Sequence, residues 1–207
     1  ASAEVVRMLN SGVAPGSLWD AILLGGNEML LSRPGIVPLH SVTACNALHY
    51  IYEASGRDRT RRLALLQAAG WVPLYRQGLT DAARVKLDHI EARPTDAGSD
   101  GIADIFRTVS DDRRAAAAKV VGFLERGGSA DEVFTAARRA IFHKGNDAHQ
   151  YKYGAAVWEE ARLASDPRWQ APMAAAAMAY VPGSQGPDNP IMKRVAGAVE
   201  HALGARS

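Results

Sequence analysis

Cysteine is nearly missing from this chain. The single thiol, Cys45, cannot form an intrachain disulfide, so no covalent staple closes the fold. Aromatic side chains are also few, at 7% of 207 residues, while alanine is abundant, a balance that favours closely packed helices over sheets. Charge of one sign is lacking too: the formal net charge of +2 is too small to require nucleic acid or an anionic membrane as partner. No apolar run reaches the length of a membrane span, and no basic segment followed by an apolar one opens the chain. Sustained period-two alternation is absent, as are Walker loops, GxSxG, zinc-hydrolase signatures and dinucleotide fingerprints. What is present, 47% hydrophobic and 22% charged residues, suits a globular domain with its own core. The expectation is one all-α domain over residues 1–207, of about eight to ten helices.

Turn and cap residues divide the chain. A short amphipathic helix over Ser2 to Asn10 is stopped by Ser11-Gly12. Ser17 with Asp20 reads as a capping box opening a helix to about Leu31. Arg33-Pro34-Gly35 breaks the chain before a helix from about Pro38 to Ala54. Another runs from Asp58 to about Gln77, with Pro73 expected to kink or shorten it. A weaker helix capped by Thr80 extends to Ile90. Arg93 to Gly101 reads as a loop, a candidate lid, followed by a helix over Ile102 to Val109. Four further helices follow: Asp111–Arg126, Ser129 to about Phe142, Asp147–Leu163 and an Ala/Met-rich one over Ala171–Tyr180. A Gly/Pro-rich loop over Val181–Pro190 leads to a last helix, Ile191 to Leu203.

Two histidine stretches carry the chemistry. Phe142 to Glu160 gathers His143, Asp147, His149 and Lys152 where a Gly-Asn turn meets a helix; Pro38 to Glu53 holds His40 and His49. His149 and Lys152, three apart, share a helix face, and Asp147 suits either an N-cap or a ligand role. His40 and His49, nine apart, fall on opposite faces of a regular helix, but His40 sits in the first turn, where orientation is least fixed. Thr43 or Asn46 could orient the neighbouring imidazole. The candidate metal ligands are therefore His40, His149, His49 and His143, with Lys152 and Asp147 as candidate catalytic groups. Lys152 beside imidazoles fits a neutral or carbamylated lysine, or a plain ion pair with Asp147 or Glu159. Cys45, His89 and His201 read as core or surface residues without chemistry. Trp71, Trp158, Tyr151 and Tyr153 are candidates to line a pocket.

Three pieces, LHSVTACNAL (Leu39 to Leu48), RTRRLALLQAAGWVPLYR (Arg59 to Arg76) and DAHQYK (Asp147 to Lys152), make the chain resemble the questin oxidase-like family. The resemblance implies an α-helical oxygenase acting on aromatic, polyketide-like compounds, with iron in some relatives. His40, His149 and Lys152 match its motif positions; His49 and His143 do not. The implied cofactor is a divalent metal ion, iron before zinc, and the implied partner is a small-molecule substrate. Two other readings of the same residues are a non-catalytic scaffold with a buried histidine network and a zinc-dependent hydrolase.

Overall fold

The structure, a computed structural model, describes residues 1–76 and 84–204. Among these residues it is all-α: ten α-helices, two 3₁₀ turns and no strand. In chain order the helices are α1 (Ser2–Asn10), α2 (Pro15–Ser32), α3 (Ile36–Ala54), α4 (Asp58–Tyr75), α5 (Gly98–Val109), α6 (Arg113–Glu125), α7 (Ala130–Lys144), α8 (Ala148–Leu163), α9 (Gln170–Ala177) and α10 (Ile191–Gly204). None of them is long and apolar enough to cross a membrane.

The centre of the fold is α9 and the turn after it. Ala174 to Ala179 are all fully buried, as is Val181. Alanine lets neighbouring backbones come close, so a helix this short touches α2, α6, α7 and α8 at once. Larger side chains fill the space between those outer helices, chiefly Trp19, Leu30, Leu39, Phe123 and Tyr153. The Tyr153 hydroxyl sits 2.6 Å from the Ala176 carbonyl and 2.9 Å from Asn27 Oδ1, so its polar tip is satisfied inside the core.

The element ends follow local chemistry, with corrections to the sequence reading. Pro15 takes the first turn of α2, so Ser17 and Asp20 lie inside the helix and form no capping box. Asp20 is instead buried and accepts hydrogen bonds from the backbone and hydroxyl of Ser165. The box at Ser129 and Glu132 is present, and Asp112 caps α6 through the N–H groups of Arg114 and Ala115. Pro73 lies in the last turn of α4, which stops at Tyr75. Gln77 and Thr80 lie outside the described residues; the described part of the expected 80–90 helix holds only a 3₁₀ turn, Leu87–His89.

Within the stretch read as a loop, helix α5 already starts at Gly98, and part of the segment before it is bonded to α6. Arg93 N–H donates to the Ala118 carbonyl at 3.0 Å, and Thr95 is buried. A Cβ on Gly122 would lie 2.0 Å from the Arg93 carbonyl oxygen, so the two backbones approach more closely than any side chain permits. Gly122→Ala is therefore expected to lower stability by about 1–3 kcal/mol or more, measured by denaturant unfolding, because backbone must move to admit the methyl. An unchanged midpoint would mean the segment does not sit on α6.

Candidate functional site

Helices α3 and α8 carry both histidine stretches and lie against each other. His40 near the start of α3 faces His149 near the start of α8, with ring centroids 5.5 Å apart and planes at 79°. Further along, His49 of α3 meets Glu160 of α8. Contacts climb both helices in the same sense, so α3 and α8 run parallel. The nine residues between His40 and His49 separate the two contacts by about 13 Å along the axis.

The upper contact is buried. His49 Nδ1 lies 2.6 Å from Glu160 Oε2, with side chains only 7% and 1% exposed. The Asn46 amide donates one hydrogen to Glu160 Oε1 at 2.9 Å and the other to Glu159 Oε2 at 2.8 Å. Trp19 stacks on the His49 ring at 4.4 Å, which fixes the imidazole plane. The Cys45 thiol nearby is pushed up to about 12, first by burial and then by the Glu160 charge, so it stays protonated and inert. Both oxygens of Glu160 are taken up by His49 and Asn46, while the Trp19 indole N–H is buried without a partner, and the arrangement reads as a structural lock between helices.

The lower contact is open to solvent. Asp147 caps α8: its Oδ1 accepts the His149 N–H at 3.0 Å and lies 2.7 Å from His149 Nδ1. Its Oδ2 accepts from the Tyr180 hydroxyl at 3.3 Å. The backbone bond from His149, then its imidazole, holds the Asp147 carboxyl below the ordinary carboxylate range. An ionised Asp147 keeps the proton on Nδ1 and leaves Nε2 of His149 free to accept one. Beside Asp147 lies a hollow of about 320 Å³, walled by Pro34, Arg113, Gln150 and Tyr180. The guanidinium of Arg113 is held in its wall by the Met178 and Val181 carbonyls. Pro34 and Gly35 are shared with a second hollow of about 380 Å³, which is lined by Ile36, Val37 and Tyr75.

The structure therefore brings His40, Asp147 and His149 together and leaves the other candidates elsewhere. His49 belongs to the buried lock. His143 ends α7, 4.0 Å from Asp188, on a different cleft. Lys152 is exposed on α8 and makes neither of the ion pairs expected for it, since Asp147 is engaged by His149 and Glu159 by Asn46. The four imidazoles do not share a centre. Among the described residues, no group of three or more His, Cys, Asp or Glu side chains is placed to hold a metal ion. Two imidazoles, with the nearest carboxylate already spent on one of them, fall short of the iron centre that the resemblance implies. The aromatic candidates are dispersed as well: Tyr153 is core, Trp158 lies between Arg138 and Arg162, Trp71 stacks on Tyr75, and Tyr151 meets Phe142 on the surface. Glu160, the partner of His49, is the residue the sequence reading missed. No protein-family profile, curated protein or solved structure matches the chain.

Two outcomes follow. Removing one partner of a buried pair strands the other, so Glu160→Ala is expected to cost about 3–5 kcal/mol in unfolding free energy. A loss below about 1 kcal/mol would mean that the contact is only a surface ion pair. Asp147→Asn keeps a capping side chain but removes the charge. A depressed carboxyl contributes stability above its unfolded value, near 3.8, and loses it as pH falls through the lower folded value. Thermal melts of the Asn variant should thus fall below those of the native chain at neutral pH, with the gap closing below pH 3.8. A gap independent of pH would contradict the pairing with His149.

Proposed function

We propose that the chain is an oxidoreductase of the questin oxidase-like type, and that Asp147, His149 and His40 form its proton-transfer site for an aromatic, polyketide-like small molecule. The observation that carries this reading is the His149 imidazole, oriented by a carboxylate that borders a hollow, facing a second imidazole. In this reading His149 Nε2 accepts the proton of a phenolic hydroxyl: the O–H bond breaks, an N–H bond forms, and a phenolate remains. Asp147 stabilises the resulting imidazolium, and His40 donates to or accepts from the substrate on the facing side. A phenolate is electron-rich, and dioxygen is the oxidant to which such a ring gives up electrons. The hollows along Pro34–Gly35 offer mixed walls, polar beside Asp147 and Gln150 and apolar beside Ile36 and Val37, with the positive Arg113 in one wall to favour an anionic oxygen. Support for the substrate class comes from the sequence resemblance at Leu39 to Leu48, Arg59 to Arg76 and Asp147 to Lys152.

The test is oxygen uptake with a panel of hydroxylated anthraquinones and simpler phenols. His149→Gln and His40→Gln are expected to lower the rate by about 100-fold or more, the usual contribution of a general base. His89→Gln, on an exposed turn, serves as the control. A rate that survives His149→Gln would end the proposal. Metal analysis on the same samples separates the other enzyme reading. Stoichiometric metal, with activity lost to EDTA and restored by iron before zinc, would make His40 and His149 two ligands of a divalent ion instead.

A further inference from the structure

Helix α10 has no buried residue along its whole length. Ile191, Val195, Val199 and Leu203 form a stripe at four-residue spacing, each 46–64% exposed. A lone helix of this length is marginal in water, and its stability normally comes from covering such a stripe. Its basic residues, Lys193 and Arg194, stand near its N-terminus and its one acid, Glu200, in its second half, the wrong order for its own dipole.

The protein also has an uncovered groove. Helices α5 and α7 leave a cleft of about 960 Å³ with an apolar floor that includes Ile102, Phe106, Ala136 and Ala140. One face of α7 borders it from Asp131 to Lys144, about 20 Å at 1.5 Å per residue. The stripe on α10, Ile191 to Leu203, is about as long by the same rule. The groove is polarised: Asp131 and Glu132 stand at one end, and Arg139 toward the other, where Asp188 pairs with Lys144 at 2.9 Å and lies 4.0 Å from His143.

Which α10 fits is decided by charge. The chain enters α10 from Asn189, whose N–H donates to the His143 carbonyl at 2.6 Å and whose side chain bonds the Gly145 carbonyl. Helix α10 therefore starts at the basic end of its own α7. Folded back over its own groove, it would run antiparallel to α7. Lys193 and Arg194 would then meet Arg139, and Glu200 would meet Glu132. A helix entering parallel to α7 has the opposite match, with Lys193 and Arg194 against Asp131 and Glu132 and Glu200 against Arg139. A second copy related by a two-fold axis, its α7 antiparallel to the first, delivers α10 in that sense, and the exchange is reciprocal.

We infer that the chain forms a two-fold dimer in which each copy's α10 lies in the α5/α7 groove of the other. This inference does not depend on the proposed chemistry. Its test is the solution mass of the full chain by light scattering, together with a crosslink. The expected mass is twice 22.1 kDa, falling to 22.1 kDa in Val195→Glu/Val199→Glu while the cooperative unfolding of the body remains. Asp131→Arg should weaken self-association about fivefold, and adding Arg194→Glu to the same chain should restore it. In the parallel register Ala136 faces Val199, so oxidised Ala136→Cys/Val199→Cys should run as a covalent dimer on a non-reducing gel. A monomeric native chain, a dimer untouched by the two glutamates, or an internal disulfide without covalent dimer would each overturn the inference.

Discussion

The hydrogen bond between His49 and Glu160 fixes the relation of the two helices on which everything else rests. It joins side chains 111 residues apart, both almost wholly out of water. A carboxylate in that position is costly unless its lone pairs are filled, and here His49 and Asn46 fill them while Trp19 holds the imidazole plane. Satisfied in this way, the pair fits only one relative rotation and register of α3 and α8. A slip of one helical turn would leave both groups buried and unpaired. That register is what sets His40 opposite His149 at the other end of the same contact.

The two contacts differ in their access to solvent, one closed and one open. In the buried one both oxygens of Glu160 are taken, and the Cys45 thiol beside it is held in its unreactive form. In the exposed one the cap of α8 doubles as an orienting carboxylate, so a single aspartate both starts the helix and fixes the tautomer of its first imidazole. Placing that dyad at a helix start next to Pro34–Gly35 gives it rigid support and an open face together. Scaffold rigidity behind a solvent-facing polar group is what proton transfer to a bound molecule needs.

The sequence disclosed the helices far better than their meeting places. Turn and cap chemistry located the box at Ser129, the cap at Asp147, the break at Arg33-Pro34-Gly35 and the buried Ala/Met helix, because those signals are local. Ser17 and Asp20 misled because Pro15 claimed the first turn before them. Nor does composition show that Gly122 admits the Arg93 backbone onto α6. His40 and His149 were legible as a pair from their places near two helix starts, although α3 begins at Ile36 and His40 lies one turn inside it. The separation of His49 was half legible: its angular position put it on another face from His40, but its partner was overlooked. Glu160 does follow Tyr153 and Val157 at helical spacing, and a carboxylate on that stripe requires a buried partner. Lys152 was placed by spacing alone, which says which residues share a face and not whether that face looks inward.

Helices α3 and α8 run parallel in a register set by a buried pair, and that register places two imidazoles against each other at the surface. Nuclear Overhauser contacts between the ring protons of His40 and His149 measure this directly. A clear cross-peak is expected in the native chain and its loss in Glu160→Gln, where the carboxylate that locks the register is gone. Absence of the cross-peak in the native chain, or its survival unchanged in the variant, would contradict that placement.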